Sequence, residues 1–308
     1  MRVFVTGATG FIGSAIVQEL INAGHQVVGL ARSDEAAKLL AAAGAEVHRG
    51  SLDDLDSLKR GAAASDGVIH TAFIHDFSNF EASCKADKLA IETIGAALEG
   101  SGRPFVISSG TLSLKDGRLA TEEDGPDLNS AGVLRAASEV AALSMASKGV
   151  RVSSMRLPPS VHGNGDHGFV PRLITIAREK AVSSYVGEGL GRWPAVHRLD
   201  AARLFRLALE KGSAGAKYHA VADEGVPVRE IAEVIGRHLN VPVAAKSFEE
   251  AMKQFGWLAH GLARDNPTSS KRTQEELGWH PSEPGLIADL EQGHYFETQH
   301  EKPAASLR

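Results

Sequence analysis

With 308 residues, 43% of them hydrophobic, the chain can bury a large core in one or two domains. Its formal net charge is −5 and its basic residues are scattered, which gives no reason to expect nucleic acid or an anionic membrane as a partner. A single cysteine, Cys84, excludes an internal disulfide, and there is neither a membrane-length apolar run nor a charged-then-apolar leader, so the expectation is a cytoplasmic enzyme acting on a small molecule.

The first residues carry the strongest signal. Arg2-Val3-Phe4-Val5 reads as a short strand, Gly7-Ala8-Thr9-Gly10-Phe11-Ile12-Gly13 as a turn, and Ile12, Ile16, Val17, Leu20 and Ile21 as one face of a helix. In such a turn Gly7 permits a tight bend, Gly10 lets the backbone approach a pyrophosphate, and Gly13 lets the helix pack close to the sheet. The phosphate charge then faces the helix N-terminus.

Gln26–Leu30 reads as the second strand and ends in Ala31-Arg32-Ser33 rather than in the acidic residue that would bind a ribose 2′-hydroxyl. Arg32 can stack on adenine and pair with a 2′-phosphate, and Ser33 adds a hydroxyl donor, so NADP(H) is preferred over NAD(H). A third strand, Glu46–Arg49, leads into Gly50-Ser51-Leu52-Asp53, where Asp53 also has the position of a helix N-cap.

Strands at 67–70, 104–109 and 151–156 alternate with helices at about 79–99 and 131–147, the pattern of a parallel, doubly wound α/β sheet of Rossmann type. Ser160–Gly168 reads as a loop opening a second, smaller α/β region. There helices are expected near 169–180, 200–211, 228–239, 247–263 and 285–298, and strands near 182–186, 217–221 and 242–246, with a tail from 299. The division is a dinucleotide-binding domain over 1–158 and a mainly substrate-binding region over 159–308, with about 193–221 returning to the Rossmann sheet.

The Gly-x-x-Gly-x-x-Gly motif resembles the extended, epimerase/dehydratase-like branch of the short-chain dehydrogenase/reductase superfamily. In the same order as in that branch come His70-Thr71-Ala72, Ile107-Ser108-Ser109, Arg156-Leu157-Pro158, Val196-His197-Arg198-Leu199-Asp200 and Leu277-Gly278-Trp279-His280-Pro281. The resemblance implies cofactor contacts from Thr6, Thr9, Phe11 and Ile12 in the glycine turn and from Leu52 and Asp53 near the adenine. Thr71, Ala72, Ser108, Arg135 and the Pro158-Pro159-Ser160-Val161 turn would follow along the nicotinamide half. It also implies a homodimer formed through the fourth and fifth helices, and a substrate pocket that includes Phe73, Tyr185, Arg192 and Trp193.

The chain departs from that branch at the catalytic helix. The family's Tyr-x-x-x-Lys pair is missing: counting back from Glu139 places Ala131 at the tyrosine position and Arg135 at the lysine position, while Asp87 stands where asparagine is common. Arg135 can clamp a ribose or a carboxylate but is a poor proton donor. Ser109 or Thr111 is placed to hydrogen-bond a developing oxyanion, and a proton can come from water, His162 or Tyr185. His162, Asp166 and His167 lack the spacing of a known metal site, and no metal is expected.

The leading expectation is an NADPH-dependent oxidoreductase reducing a small carbonyl, imine or activated alkene. The alternatives are a sugar-nucleotide epimerase or dehydratase and a non-catalytic NADP(H)-sensing regulatory protein.

Overall fold

Strands too apolar to face water on either side alternate with helices that cover them, and this alternation builds the larger part of the molecule. The computed structural model describes residues 1–76, 79–127 and 133–297. In chain order the first half contains β1 (Arg2–Thr6), α1 (Phe11–Asn22), β2 (Gln26–Ala31), α2 (Asp34–Ala42), β3 (Glu46–Arg49), α3 (Leu55–Ala63), β4 (Gly67–His70), α4 (Phe80–Leu98), β5 (Pro104–Gly110), α5 (Val133–Ser144) and β6 (Arg151–Leu157). The second half contains β7 (Ser160–His162), α6 (Phe169–Lys180), β8 (Ser183–Val186), β9 (Arg192–His197), α7 (Arg198–Lys211), β10 (Ala216–His219), β11 (Asp223–Pro227), α8 (Val228–Leu239), β12 (Val243–Lys246), α9 (Phe248–Phe255), α10 (Leu258–Leu262), α11 (Lys271–Leu277) and α12 (Leu286–Glu291).

Seven parallel strands form the central sheet in the order β10-β6-β5-β4-β1-β2-β3. This is the Rossmann-type doubly wound arrangement, and the reversal of strand order between β1 and β4 opens a crevice at their C-terminal ends. Alternate residues of β1 feed the two faces. Val3 and Val5 join Ile16, Leu20, Leu204 and Phe205 on the α1 and α7 side, and Phe4 joins Leu58, Ile91 and Ile94 on the other. Burying each such side chain contributes about 1.5–3 kcal/mol, which fixes the register of β1 and with it the position of the turn that follows.

The second region has its own core around Trp193, Leu173, Ile231, Ile235 and Phe255. It is framed by a three-stranded sheet, β11-β9-β7, and a parallel pair, β12-β8. The stretch 193–221 divides between the two bodies. β10 pairs with β6 in the main sheet, and Leu204 and Phe205 of α7 pack into its core, but β9 pairs with β7 and β11 instead.

Several expected elements differ. The loop at 160–168 begins with a strand, β7, because Val161 and its neighbours pair with β9. The helix expected over 247–263 breaks in two at Gly256, whose φ of 59° no continuing helix can adopt. The last helix ends at Glu291 rather than 298, and the expected tail lies outside the described residues. β9, β11 and α11 have no counterpart in the sequence expectations. Among the described residues, no helix is long and apolar enough to cross a membrane.

Candidate active site

The crevice begins with the β1–α1 turn. Gly7 has φ 69°, and a Cβ there would lie 2.7 Å from the Ala72 backbone nitrogen and from Thr71 Oγ1. A Cβ on Gly13 would collide with the Gly7 carbonyl oxygen. Only glycine allows the turn, the helix and the end of β4 to come this close. Gly10 is the N-cap residue of α1 and has no side chain to satisfy the first helical N–H groups. By contrast α2 and α3 are capped by the side chains of Ser33 and Asp54. The start of α1 is therefore left open to a ligand with acceptor oxygens, which fits a dinucleotide pyrophosphate.

At the end of β2, Arg32 and Ser33 are both exposed. The Asp34 carboxylate beside them pairs at 2.5 Å with Arg49, which ends the adjacent β3. Ser33 Oγ accepts the Ala36 N–H at 3.2 Å, so its own hydrogen remains available. Asp53 does not take the N-cap position open to it: Asp54 does, at 3.0 Å from the Ser57 nitrogen, and the Asp53 side chain stays exposed next to half-buried Leu52.

Across the switch point a buried chain of hydrogen bonds links the glycine turn to α5. Thr6 Oγ1 meets His70 Nδ1 at 2.8 Å, and His70 Nε2 meets Asp87 Oδ1 at 3.3 Å. The other Asp87 oxygen pairs with the Arg135 guanidinium, which also donates to the Ser108 carbonyl at 2.9 Å. Burial alone would raise the Asp87 carboxyl, but its bond to His70 and the Arg135 charge outweigh that and hold it below the usual carboxylate range. Arg135 lies 4.6 Å above the Phe73 ring, so Arg135, Ser108, Phe73, Thr71 and Ala72 gather on one side of the crevice. Ala131 lies outside the described residues.

Sequence reading missed His75. Its ring meets Phe73 edge to face at 5.2 Å, on the face of the site that holds Arg135. The residue is exposed, yet partial desolvation of the ring, and then the Arg135 and His167 charges, pull its imidazole below the ordinary value. The available signal was position: a titratable side chain five residues beyond the end of β4, at the carboxyl edge of the sheet where ligands bind.

The oxyanion role expected of Ser109 and Thr111 does not match their placement. Ser109 Oγ donates to Glu139 at 3.0 Å, and Glu139 is held by Arg156 at 2.8 Å. With its hydrogen committed, Ser109 presents lone pairs to the crevice rather than a donor. Thr111 is fully buried, donates to the Asn266 side chain at 2.9 Å and receives the Asn266 amide on its carbonyl at 3.1 Å. It fastens the end of β5 to the segment before α11.

The expected proton donors are also placed elsewhere. His162 is fully buried on β7 with Nδ1 at 2.8 Å from Asp289. Tyr185 packs against the second core with Arg229 5.6 Å above its ring. Trp193 is a core residue, fully buried and donating to the Gly261 carbonyl at 2.9 Å, so it cannot wall a pocket. Arg192 is turned to solvent and paired with Asp265 at 2.8 Å. Where β6 passes into β7, Pro158 and Ser160 are buried and Pro159 and Val161 half-buried. Asp166 accepts from Gly168 and Tyr295, while His167 lies edge-on to Phe11 at 5.8 Å. Among the described residues, no three His, Cys, Asp or Glu side chains are arranged to hold a metal ion.

Residues 3–98, which contain the glycine turn and the His70–Asp87 pair, match the family described as the NAD dependent epimerase/dehydratase family. An uncharacterised protein of Schizosaccharomyces pombe is 54% identical, over 96% of this chain and 100% of its own length. The chain belongs to the NAD dependent epimerase/dehydratase family. A 4-hydroxy-2-methyl-3-oxo-4-farnesyl-3,4-dihydroquinoline-1-oxide ketoreductase of Stigmatella aurantiaca is 29% identical over 74% of this chain and 70% of its own length. The crystal structure of a dTDP-glucose 4,6-dehydratase from Streptomyces venezuelae, with NAD bound, superposes with a TM-score of 0.78. It is 20% identical, with 96% of this chain and 97% of that chain covered, a likeness of fold. The family fold accounts for the crevice at the β1/β4 switch point and leaves the chemistry to the residues that line it.

Proposed function

We propose that this protein is an NADPH-dependent reductase of a small carbonyl, imine or activated alkene. The observation that carries the reading is Arg135, a permanent cation fixed by Asp87 and the Ser108 carbonyl on the crevice side of Phe73. Such a group stabilises negative charge gathering on a substrate oxygen, but it cannot remove a proton. That asymmetry favours reduction. An epimerase or dehydratase must first oxidise a hydroxyl, a step the family's Tyr-x-x-x-Lys pair serves and this chain lacks, whereas reduction of a carbonyl begins with stabilisation of the oxygen and can take its one proton from a side chain or from water.

NADPH, when bound, supplies the hydride. The exposed Arg32 beyond β2 supports the 2′-phosphate form of the cofactor, and the glycine-lined start of α1 supports the pyrophosphate. His75 is an exposed titratable side chain whose ring meets the Phe73 ring that Arg135 covers, and we assign it the delivery of the proton. Ser109, as an acceptor, suits the hydroxyl of the reduced product. The Stigmatella relative, named as a ketoreductase, lends the reaction class further support.

The test uses NADPH deuterated at the transferable position, offered with aldehydes, ketones, cyclic imines and enones. The reading expects deuterium in the product and one NADP⁺ formed per product. A product of unchanged oxidation state with no net NADP⁺ would mean epimerase-type chemistry, and saturable binding without any product would mean sensing. Either result contradicts the proposal.

A further inference from the structure

Arg198, the first residue of α7, stands where the β7–α6 loop of the second region meets the first turn of α1. Its guanidinium lies 4.6 Å above the Phe11 ring and donates to Ser14 Oγ at 3.1 Å and to the Asn164 carbonyl at 3.0 Å. Its stem runs against Gly163, where an added Cβ would lie 3.1 Å from Arg198 Cγ. Its Nε is buried and has no hydrogen-bond partner.

This is an unusual place for a cation. The N-terminal end of α1 already carries the positive end of the helix dipole, and no side chain caps it. Many arginines of this chain meet a carboxylate, as Arg135, Arg156, Arg192 and Arg206 do. Arg198 meets a carbonyl and a hydroxyl, and burial lowers its affinity for the proton with no acidic group to offset it. His167, from the same loop as Asn164, sets its imidazole at the edge of Phe11. Two like-signed features sit together with open donors, and a partly desolvated cation in this setting is stabilised by an anion.

We infer that Arg198 closes onto the pyrophosphate of the dinucleotide, so that the start of α7 and the β7–α6 loop it holds, and not the glycine turn alone, fix the cofactor. The inference rests on the cofactor reading given above. In chemical terms the phosphate oxygens take the terminal guanidinium N–H groups not used by Ser14 and Asn164, while those two bonds hold the plane of the fork. Because Arg198 belongs to α7 and Asn164 to the β7–α6 loop, cofactor binding then tightens the contact between the two regions.

The test measures equilibrium binding of NADPH and of adenosine 2′-monophosphate, which carries the 2′-phosphate without a pyrophosphate. These are compared in wild type, Arg198→Gln, Arg198→Lys and Arg32→Gln. Arg198→Gln should weaken NADPH by about tenfold or more and leave adenosine 2′-monophosphate within about twofold of wild type. Arg198→Lys should recover part of the loss, and Arg32→Gln should weaken both ligands. Unchanged NADPH affinity in Arg198→Gln overturns the inference, and so does equal weakening of both ligands, which would mark a structural role. A wild-type protein that binds neither ligand overturns the cofactor reading itself.

Discussion

Asp87 on α4 holds Arg135 on α5 with one carboxylate oxygen and His70 at the end of β4 with the other. Through His70 and Thr6 the contact reaches the residue before Gly7, so the clamp and the glycine turn are parts of one buried network. Breaking a buried ion pair from one side costs about 3–5 kcal/mol. Arg135 keeps the Ser108 carbonyl and some exposure to water, so Asp87→Asn should fall near the lower bound. For a chain of 308 residues that corresponds to a fall in Tm of roughly 4–6 °C. Thermal unfolding followed by circular dichroism measures it, and a Tm equal to wild type would show that Asp87 does not support Arg135.

Gly13→Ala tests the cradle. The new methyl collides with the Gly7 carbonyl oxygen, and the backbone on both sides must shift. Overpacking of this kind costs about 1–3 kcal/mol. The larger effect is expected in NADPH titrations, with affinity falling by more than about tenfold, since the displaced turn no longer presents its N–H groups. Normal affinity would mean that the phosphates lie elsewhere.

His219 gives a pH dependence of stability with a defined sign. It is fully buried, Nδ1 donates to the Ser269 carbonyl at 2.7 Å, and Nε2 faces the Arg156 guanidinium at 3.3 Å. Burial first, and then the Arg156 charge, push its pKa down to about 3. An unfolded histidine titrates near about 6.5. The unfolded state therefore takes up the proton first, and stability is complete above that value and falls as pH drops towards the folded value, by up to about 1.4 kcal/mol per unit. Urea unfolding at pH 7, 6 and 5 should show a shallower slope for His219→Gln than for wild type, and parallel slopes would refute the assignment.

His75 should leave its mark on the rate. Partial desolvation and the Arg135 charge lower its imidazole pKa, so its acid form is lost as pH rises through a value below the ordinary one. kcat/KM should fall along that limb. His75→Gln should lower kcat by about 10²-fold or more and abolish the limb with little effect on NADPH affinity. A variant that keeps the wild-type profile would assign the proton to water.

How much of this was legible follows from how local each signal is. Gly7, Gly10 and Gly13, the strand before them and the apolar face after them lie within 21 residues and could be read directly, as could Arg32 at the end of the second strand. The choice between Asp53 and Asp54 as helix cap depends on which residue the helix starts after, and two adjacent aspartates leave that open in the sequence. The network under the crevice was not legible, because Ser109, Glu139, Arg156 and His219 are 30, 17 and 63 residues apart along its three links. Trp193 looked like a pocket wall because an aromatic beside an arginine suits either a site or a core. Only the pairing of β9 between β7 and β11 turns it inward. His75 carries no local pattern that marks it, since it stands in a loop outside the glycine turn and the proline turn, whereas His162, which does follow the proline turn, is sealed by Asp289.

The central claim is tested most directly by following NADPH oxidation under cofactor saturation across small aldehydes, ketones, imines and enones, with NADH in parallel. The account predicts substrate-dependent oxidation that is faster, and saturates at lower concentration, with NADPH than with NADH. Saturable NADPH binding with no oxidation by any substrate, or equal use of the two cofactors, would contradict it.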